Sequence, residues 1–349
     1  VIDLGAVVRN WKTFQRLGGT AECAAVVKAD AYGLGAGPVA KALAQAGART
    51  FFTATLAEAL AVREALGHGP MIIPLNGPAA GEAAAFQSAA ITPCLNSLEQ
   101  IALWASAPAS ARSAAPVIHI DTGMNRLGLR NDEVGRAKAL LGGVQPALAM
   151  SHLACASRPQ HPQNSAQRLS FMEAAGAFPG VRLSLSASAG VQLGQDFCFD
   201  MIRPGIGLYG WDGMDSPTTR LAVAATVMAP VLQRRSIPAG ETAGYGATFA
   251  APADIEAVTV ACGYADGFFR VAKGACVGYQ GNRLAVIGRI SMDLIIADAT
   301  AAPSLVAGDM VEIVGSTIAV EDVAAAAGTL PYEVFTTFVG RTPKTYKAA

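Results

Sequence analysis

Lys28 ends an apolar run, Ala24-Ala25-Val26-Val27, and is followed by Ala29-Asp30-Ala31-Tyr32-Gly33-Leu34-Gly35. An amine at the mouth of a buried strand loses hydration. That penalises its ammonium form and makes it a better nucleophile, suited to an aldehyde cofactor. The plainer alternative is a lysine reaching solvent from a strand end. The segment from His119 to Leu129 carries Asp121 and Arg126 on a glycine-containing loop that can hold an anion; a solvated charge is the alternative. Ser151-His152-Leu153 offers an imidazole that can stack on a planar ring or serve the structure alone. Ser186-Ala187-Ser188-Ala189-Gly190 and Arg203-Pro204-Gly205-Ile206-Gly207 bring a hydroxyl, a guanidinium and glycine amides able to approach a ligand closely. Further on, Tyr245 lies between glycines, Tyr264 and Arg270 lie in Gly263–Arg270, and Met292 lies in Gly288–Asp293. Aromatics in glycine-rich turns are often packing, but three such segments in one small region suggest a shared functional surface.

Something must position these groups. Apolar strand-like runs occur at Ala24–Lys28, Thr50–Thr53, Met71–Leu75, Ile91–Leu95, Pro116–Asp121, Ala147–His152, Arg182–Ser186 and Phe199–Arg203. Helical stretches lie between them at Pro38–Ala46, Leu56–Leu66, Ala79–Gln87, Ser97–Ala107, Glu133–Leu141 and Gln163–Ala177. Such alternation means a parallel sheet with crossover helices, and eight units predict an α/β fold of the (β/α)8 TIM barrel type, with an open doubly wound sheet as the alternative. Lys28, His152, Ser188 and Arg203 then stand at or just past strand ends, where barrels keep their chemistry. Phosphate sites in barrels often follow strands seven and eight, which is where Ser188 and Gly205 fall. A turn-rich stretch, Asp212-Gly213-Met214-Asp215-Ser216-Pro217, closes this part. Residues 1–215 are expected to form the barrel and residues 216–349 a mainly β domain. The latter has strand-like runs at Ala222–Met228, Val231–Arg235, Ala257–Ala261, Ala275–Tyr279, Arg283–Ile287, Leu294–Ala297 and Met310–Val314, and one helix at Val320–Ala327.

The chain has 349 residues, 26 basic and 26 acidic, so its balanced charge argues against a dedicated nucleic-acid binder. Hydrophobic residues make up 52%, enough for a large core and too many for a disordered chain. No apolar run approaches the ~20 residues that span a bilayer. The six cysteines form no C-x-x-C pair and the four histidines show no metal-ligand spacing. Buried thiols in a reducing, cytoplasmic compartment are expected. The chain begins at Val1, inside the first recognisable motif and without a Met, so a few leading residues are expected to be missing.

Together these segments resemble alanine racemases, the pyridoxal-phosphate enzymes that interconvert L- and D-alanine. The match runs from Ile2-Asp3-Leu4 to Arg341-Thr342-Pro343, and Val27–Gly35 looks like the family's cofactor-lysine signature. The resemblance implies a barrel, a C-terminal β domain and a homodimer whose active sites use both chains. Residue by residue, it implies that Lys28 is the Schiff-base lysine and one acid/base group, and that Tyr245 of the partner chain is the other. It makes Tyr32, Ser188 and the backbone of Gly205 and Ile206 a phosphate cradle, His152 a support for the cofactor ring and Arg203 the partner of the pyridine nitrogen. Arg126 and the backbone of Met292 would hold the substrate carboxylate, and Tyr264, Arg270, Arg289 and Asp293 would shape the entrance. The roles make physical sense. Racemisation needs a proton taken from one face of Cα and another returned to the opposite face, and a guanidinium beside the pyridine nitrogen disfavours its protonation.

The chain departs from the family at three places. His119 stands where a lysine, commonly carbamylated, is frequent; Ala187 replaces an asparagine before the phosphate-binding serine; Gly340 replaces a phosphate-contacting tyrosine found in some members. Another group or an anion must therefore position Arg126. A broad-specificity amino-acid racemase of the same fold is the alternative among enzymes. A non-enzymatic pyridoxal-phosphate-binding barrel would lack residues 216–349, and a decarboxylase of related architecture would carry a cysteine-bearing C-terminal motif that this chain lacks. Supply of D-alanine to peptidoglycan and its breakdown are both compatible with the motifs.

Overall fold

The computed structural model describes residues 1–108, 114–216, 219–338 and 340–349; Pro217 of the expected linker lies outside them. The chain divides into two compact units. One holds Leu4–Ala31 and Gly35–Ala222; the other holds Val1–Asp3, Tyr32–Leu34 and Val223–Ala348.

The first unit is built on eight parallel strand positions. The first is split by Ala24 into Glu22–Cys23 and Ala25–Val26, and Thr50–Thr53, Met71–Pro74, Cys94–Leu95, Val117–His119, Leu148–Met150, Leu183–Ser184 and Met201–Ile202 follow. The split lets the first strand serve two neighbours: Glu22–Cys23 pairs with Met201–Ile202, and Ala25–Val26 with Phe51–Phe52. The Thr92 amide donates to the Ile72 carbonyl, and the Asp200 and Arg203 amides to Leu183 and Ser186, which carries the ring through its two irregular joints. Thr50–Thr53, Val117–His119 and Leu148–Met150 are buried along their whole length. This is what a parallel sheet covered on both faces requires, and it is why these strands read as unbroken apolar runs.

Helices Leu56–Leu66, Leu98–Ser106 and Pro162–Ala175 lie where the pattern put them. Thr55 and Ser97 cap the first two, accepting from the Glu58 and Gln100 amides. Helix Leu4–Leu17 was not expected. It buries Ala6, Val7, Asn10, Trp11 and Phe14 along one stripe. The buried amide of Asn10 interrupts the apolar signal and is satisfied by Leu208 and Ala222, 2.7–3.1 Å away.

The second unit is a closed six-stranded antiparallel barrel. Its order is Val227–Ile237, Ile255–Val260, Ile295–Asp298, Asn282–Ile287, Cys276–Tyr279, Met310–Val314 and back to the first. The runs expected at Ala222–Met228 and Val231–Arg235 are one strand, Val227–Ile237. Pro230 reads as a break, but it sits just before a bulge between Val231 and Gln233, where the strand changes partner from Met310–Val314 to Ile255–Val260. A short hairpin, Thr242–Ala243 with Phe249–Ala250, holds the turn Tyr245–Ala247. Helix Val320–Ala327 falls at the expected residues, and Pro331–Thr337 adds a second. Among the described residues no helix is long and apolar enough to cross a membrane.

Candidate active site

Lys28 is followed by a stretch that L-residues resist. Ala29, Asp30, Ala31 and Tyr32 all have φ between 51 and 57°, so four successive side chains adopt left-handed helical geometry. This costs about 1–2 kcal/mol per residue, and the surroundings must hold it. Glu58 does so with both carboxylate oxygens, accepting from the Ala29 amide at 2.9 Å and the Ala54 amide at 2.7 Å. Asp30 closes the far end: its carbonyl accepts from the Gly35 amide and its carboxylate from the Ala36 amide at 2.7 Å. The turn fixes the direction in which the chain leaves Lys28.

Arg203, 4% exposed, sits at the end of the eighth strand. Its terminal nitrogens donate to Ser184 Oγ at 2.5 Å, to the Ser151 carbonyl at 2.6 Å and to the Leu185 carbonyl at 3.3 Å. Among the described residues no carboxylate pairs with it, and burial lowers its pKa to about 10. Burial, Arg126 and Arg203 lower the pKa of Lys28 against an opposing pull from Glu58. Burial first, then Arg203, Arg126, His119 and Lys28, hold His152 neutral well below the usual imidazole range. The structure thus brings Lys28, Arg126, His152 and Arg203 into one electrostatic neighbourhood. The adjacent carboxylates hold backbone amides rather than these side chains, although Glu58 still draws the Lys28 pKa upward. Glu58 is committed to two backbone amides, and Asp121 accepts from the Gly123, Met124 and Arg126 amides at 2.8, 2.9 and 3.0 Å. Lys28, Arg126 and Arg203 make no ion pair among the described residues.

Ser188 opens a short helix after the seventh strand, and its Oγ accepts from the Gly205 amide at 3.0 Å and the Gly207 amide at 3.1 Å. Ile206 begins the turn Ile206–Tyr209 between them. A Cβ at Gly207 would lie 2.2 Å from the Phe14 ring and 3.1 Å from Ser188 Oγ, so only glycine permits this convergence. Helix Leu4–Leu17 therefore supports this convergence.

In the second unit Tyr245 is 69% exposed. Gly244 and Gly246 flank it with φ of 76 and 74°, and a Cβ on Gly246 would lie 3.4 Å from Arg289 Nη1. The Tyr264 amide donates to the Ser291 carbonyl and the Ala265 amide to the Met292 carbonyl. Arg341 bridges Asp293 at 2.6 Å and Asp266 at 3.3 Å. The three glycine-rich segments thus form one knit surface. Tyr32 belongs to the same unit, with its ring 6.2 Å from that of Tyr332, and burial raises its pKa.

Sequence reasoning did not find Glu58, Ser184 or Arg341. Thr55-Leu56-Ala57-Glu58 has capping-box spacing, which marks Glu58 as bonding backbone but does not say which. For the other two no local signal exists, because their partners are far away in the chain.

The alanine racemase N-terminal domain family model matches residues 2–212, and the C-terminal domain model matches residues 224–346. A catabolic alanine racemase of Agrobacterium fabrum is 43% identical over 99% of this chain and 91% of its own length. An alanine racemase of Rhodospirillum rubrum is 41% identical over 99% and 94%. The crystal structure of alanine racemase from Bartonella henselae with covalently bound pyridoxal phosphate superposes with a TM-score of 0.93 at 36% identity, covering 99% of this chain and 98% of that one. Two domain families in the same order, relatives aligned nearly end to end and a shared architecture lead to one conclusion: the chain belongs to the alanine racemase family.

Proposed function

We propose that this protein is a pyridoxal-phosphate-dependent alanine racemase that interconverts L- and D-alanine. The observation that carries the reading is the neighbourhood of Lys28, Arg126 and Arg203, none of which makes an ion pair with a carboxylate among the described residues. Such a site calls for a ligand set with more than one anionic group and an electrophile for the amine. Pyridoxal phosphate and an amino-acid carboxylate supply these. The residues fit the cofactor. A hydroxyl and two glycine amides converge where only glycine is tolerated, a buried guanidinium has no acidic partner among the described residues, and an amine with a lowered pKa ends the first strand.

Lys28 would hold the cofactor, Tyr32, Ser188 and the Gly205 and Ile206 backbone its phosphate, His152 its ring and Arg203 the pyridine nitrogen. When bound, the cofactor provides an electron sink that acidifies the substrate Cα–H. Arg126 and the Met292 backbone orient the substrate carboxylate. Lys28 Nζ takes or returns the Cα proton on one face, and the Tyr245 phenol of a second copy does so on the other. Burial lowers the pKa of Lys28, so a larger share of the amine is neutral and able to accept a proton near neutrality. Exposure of Tyr245 at 69% supports its service to another chain, and hence a homodimer with shared active sites. We assign the barrel role to residues 1–215 and the β-domain role to 216–349. All six cysteines are thiols, four of them buried, which supports a cytoplasmic setting.

The test is borohydride trapping of the purified protein with peptide mapping, followed by a D-alanine assay after addition of L-alanine. We expect a reduced pyridoxyl group on Lys28 and D-alanine formation, and loss of both in Lys28→Ala. Trapping on another lysine, or no D-alanine from a fully loaded protein, would contradict the reading.

A further inference from the structure

The loops that carry Arg126 and His152 leave neighbouring strands, Val117–His119 and Leu148–Met150. The last backbone hydrogen bond between them runs from the Ile120 amide to the Met150 carbonyl at 2.8 Å. Beyond it, among the described residues, only side chains carry hydrogen bonds from one loop to the other. Thr122 Oγ1 lies 2.8 Å from Ser151 Oγ. Gln163 and Gln167, one turn apart on helix Pro162–Ala175, make the remaining ties. Gln167 is 1% exposed. Its Oε1 accepts from the Ala154 amide at 2.8 Å, which fixes that atom as oxygen. Its Nε2 donates to the His152 carbonyl at 3.0 Å and to Thr122 Oγ1 at 3.2 Å. Gln163 Nε2 donates to the Gly123 carbonyl at 2.8 Å, and its Oε1 accepts from the Cys155 thiol at 3.4 Å.

Both N–H groups of Gln167 and its oxygen are used, so the buried side chain has one orientation and grips both loops at once. The Arg126 loop lies against the same helix face: a Cβ on Gly123 would meet Gln163 Nε2 at 3.5 Å and Gln167 Cγ at 3.7 Å. From there the path to Arg126 is short and stiff, because Asp121 accepts from the Gly123, Met124 and Arg126 amides at 2.8, 2.9 and 3.0 Å. On the other side, the Ser151 carbonyl accepts from Arg203 at 2.6 Å. An apolar side chain of similar volume would fill the same space, but it would leave the Ala154 amide and the His152 carbonyl unpaired and the loop untied.

We propose that Gln167, with Gln163 and Thr122, is a positioning residue: it clamps the backbone that bears Arg126 to the backbone that bears His152, and so holds the substrate carboxylate in a fixed relation to the cofactor ring. This rests on Arg126 as the carboxylate holder and His152 as the ring support. A loop tied down before the substrate arrives does not have to be ordered by it, so the clamp acts on carboxylate affinity.

The test compares holoenzyme of wild type, Gln167→Leu and Thr122→Val with two probes. Acetate offers a carboxylate without the amine and is read by calorimetry; ethylamine offers the amine without the carboxylate and is read by absorbance titration. Acetate should weaken about tenfold in Gln167→Leu and about threefold in Thr122→Val, with KM for L-alanine rising in step, while ethylamine binds each variant as it binds wild type. Amide hydrogen exchange across residues 122–126 should quicken in both variants. Unchanged acetate affinity or unchanged exchange in a folded, loaded variant would overturn the proposal. So would equal weakening of acetate and ethylamine, which marks a general loss of structure rather than an effect on the carboxylate. If Gln167→Leu does not fold, Thr122→Val decides by the same readouts, since it keeps the side-chain volume and leaves Gln167 its bonds to His152 and Ala154. A wild type that fails to racemise alanine defeats the functional reading, whereas one that racemises while its variants bind acetate equally defeats this inference alone.

Discussion

Three basic side chains, Lys28, Arg126 and Arg203, that make no ion pair among the described residues set the demands of the first unit's site at the level of single residues. Among the described residues Arg203 donates to hydroxyl and carbonyl oxygens and to no carboxylate. His152 and His119 remain neutral in this field. That neutrality has a pH signature. The folded pKa of His119 is about 4 against an ordinary 6.5, so from pH 6.5 down to 4 the unfolded chain binds a proton that the folded chain refuses. The stability contribution is complete above pH 6.5 and is lost as pH falls through this window, by up to about 3 kcal/mol. Urea unfolding at pH 7 and at pH 4.5 should show a steeper loss for wild type than for His119→Gln. Parallel losses would contradict the assignment.

Two elements set the site, one legible in advance and one not. The strand ends were legible. A fully buried parallel strand reads as an apolar run, so the residue that breaks it, Lys28 or Arg203, announces itself. The left-handed turn after Lys28 was not, because Ala-Asp-Ala carries no glycine to mark positive φ and the turn is imposed by Glu58 from another strand-helix unit. Glu58→Ala should remove two charge-assisted hydrogen bonds and lower stability by about 2–3 kcal/mol. Its cofactor affinity should fall as well, read by thermal denaturation and titration with pyridoxal phosphate; an unchanged melting temperature would contradict this account of the turn. Helix Leu4–Leu17 shows the same limit, since Asn10 at a core position hides the stripe until its partners near residues 208 and 222 are known. The contact of that helix with Gly207 predicts that Gly207→Ala, by forcing Phe14 to move, destabilises the protein by about 1–3 kcal/mol and weakens the cofactor more than the substrate. Equal losses of both would argue that the helix only supports the core.

At the scale of the whole molecule, the chain supplies two surfaces that the proposed chemistry combines. One carries Lys28, Arg126, Ser188 and Arg203. The other carries Tyr245, with its segment tied to Gly288–Arg289 and, through Arg341, a network joining Asp266 and Asp293. Glycine-rich turns foretold this second surface, but the Arg341 bridge that holds it arises only when residues 48 and 75 positions earlier fold beside it. Arg341→Ala should leave the fold intact, because Arg341 itself and its shorter-range partner Asp293 are about half exposed, and should lower kcat/KM about tenfold by loosening the surface. The central claim is that the lysine and the tyrosine of one active site come from different chains. It is tested most directly by mixing Lys28→Ala with Tyr245→Phe, each inactive alone, under conditions that exchange subunits. Random reassortment makes half of the dimers mixed, each with one intact site of two, so about a quarter of wild-type activity should return. If exchange is verified by mass and no activity returns, both groups act within a single chain and the account is wrong.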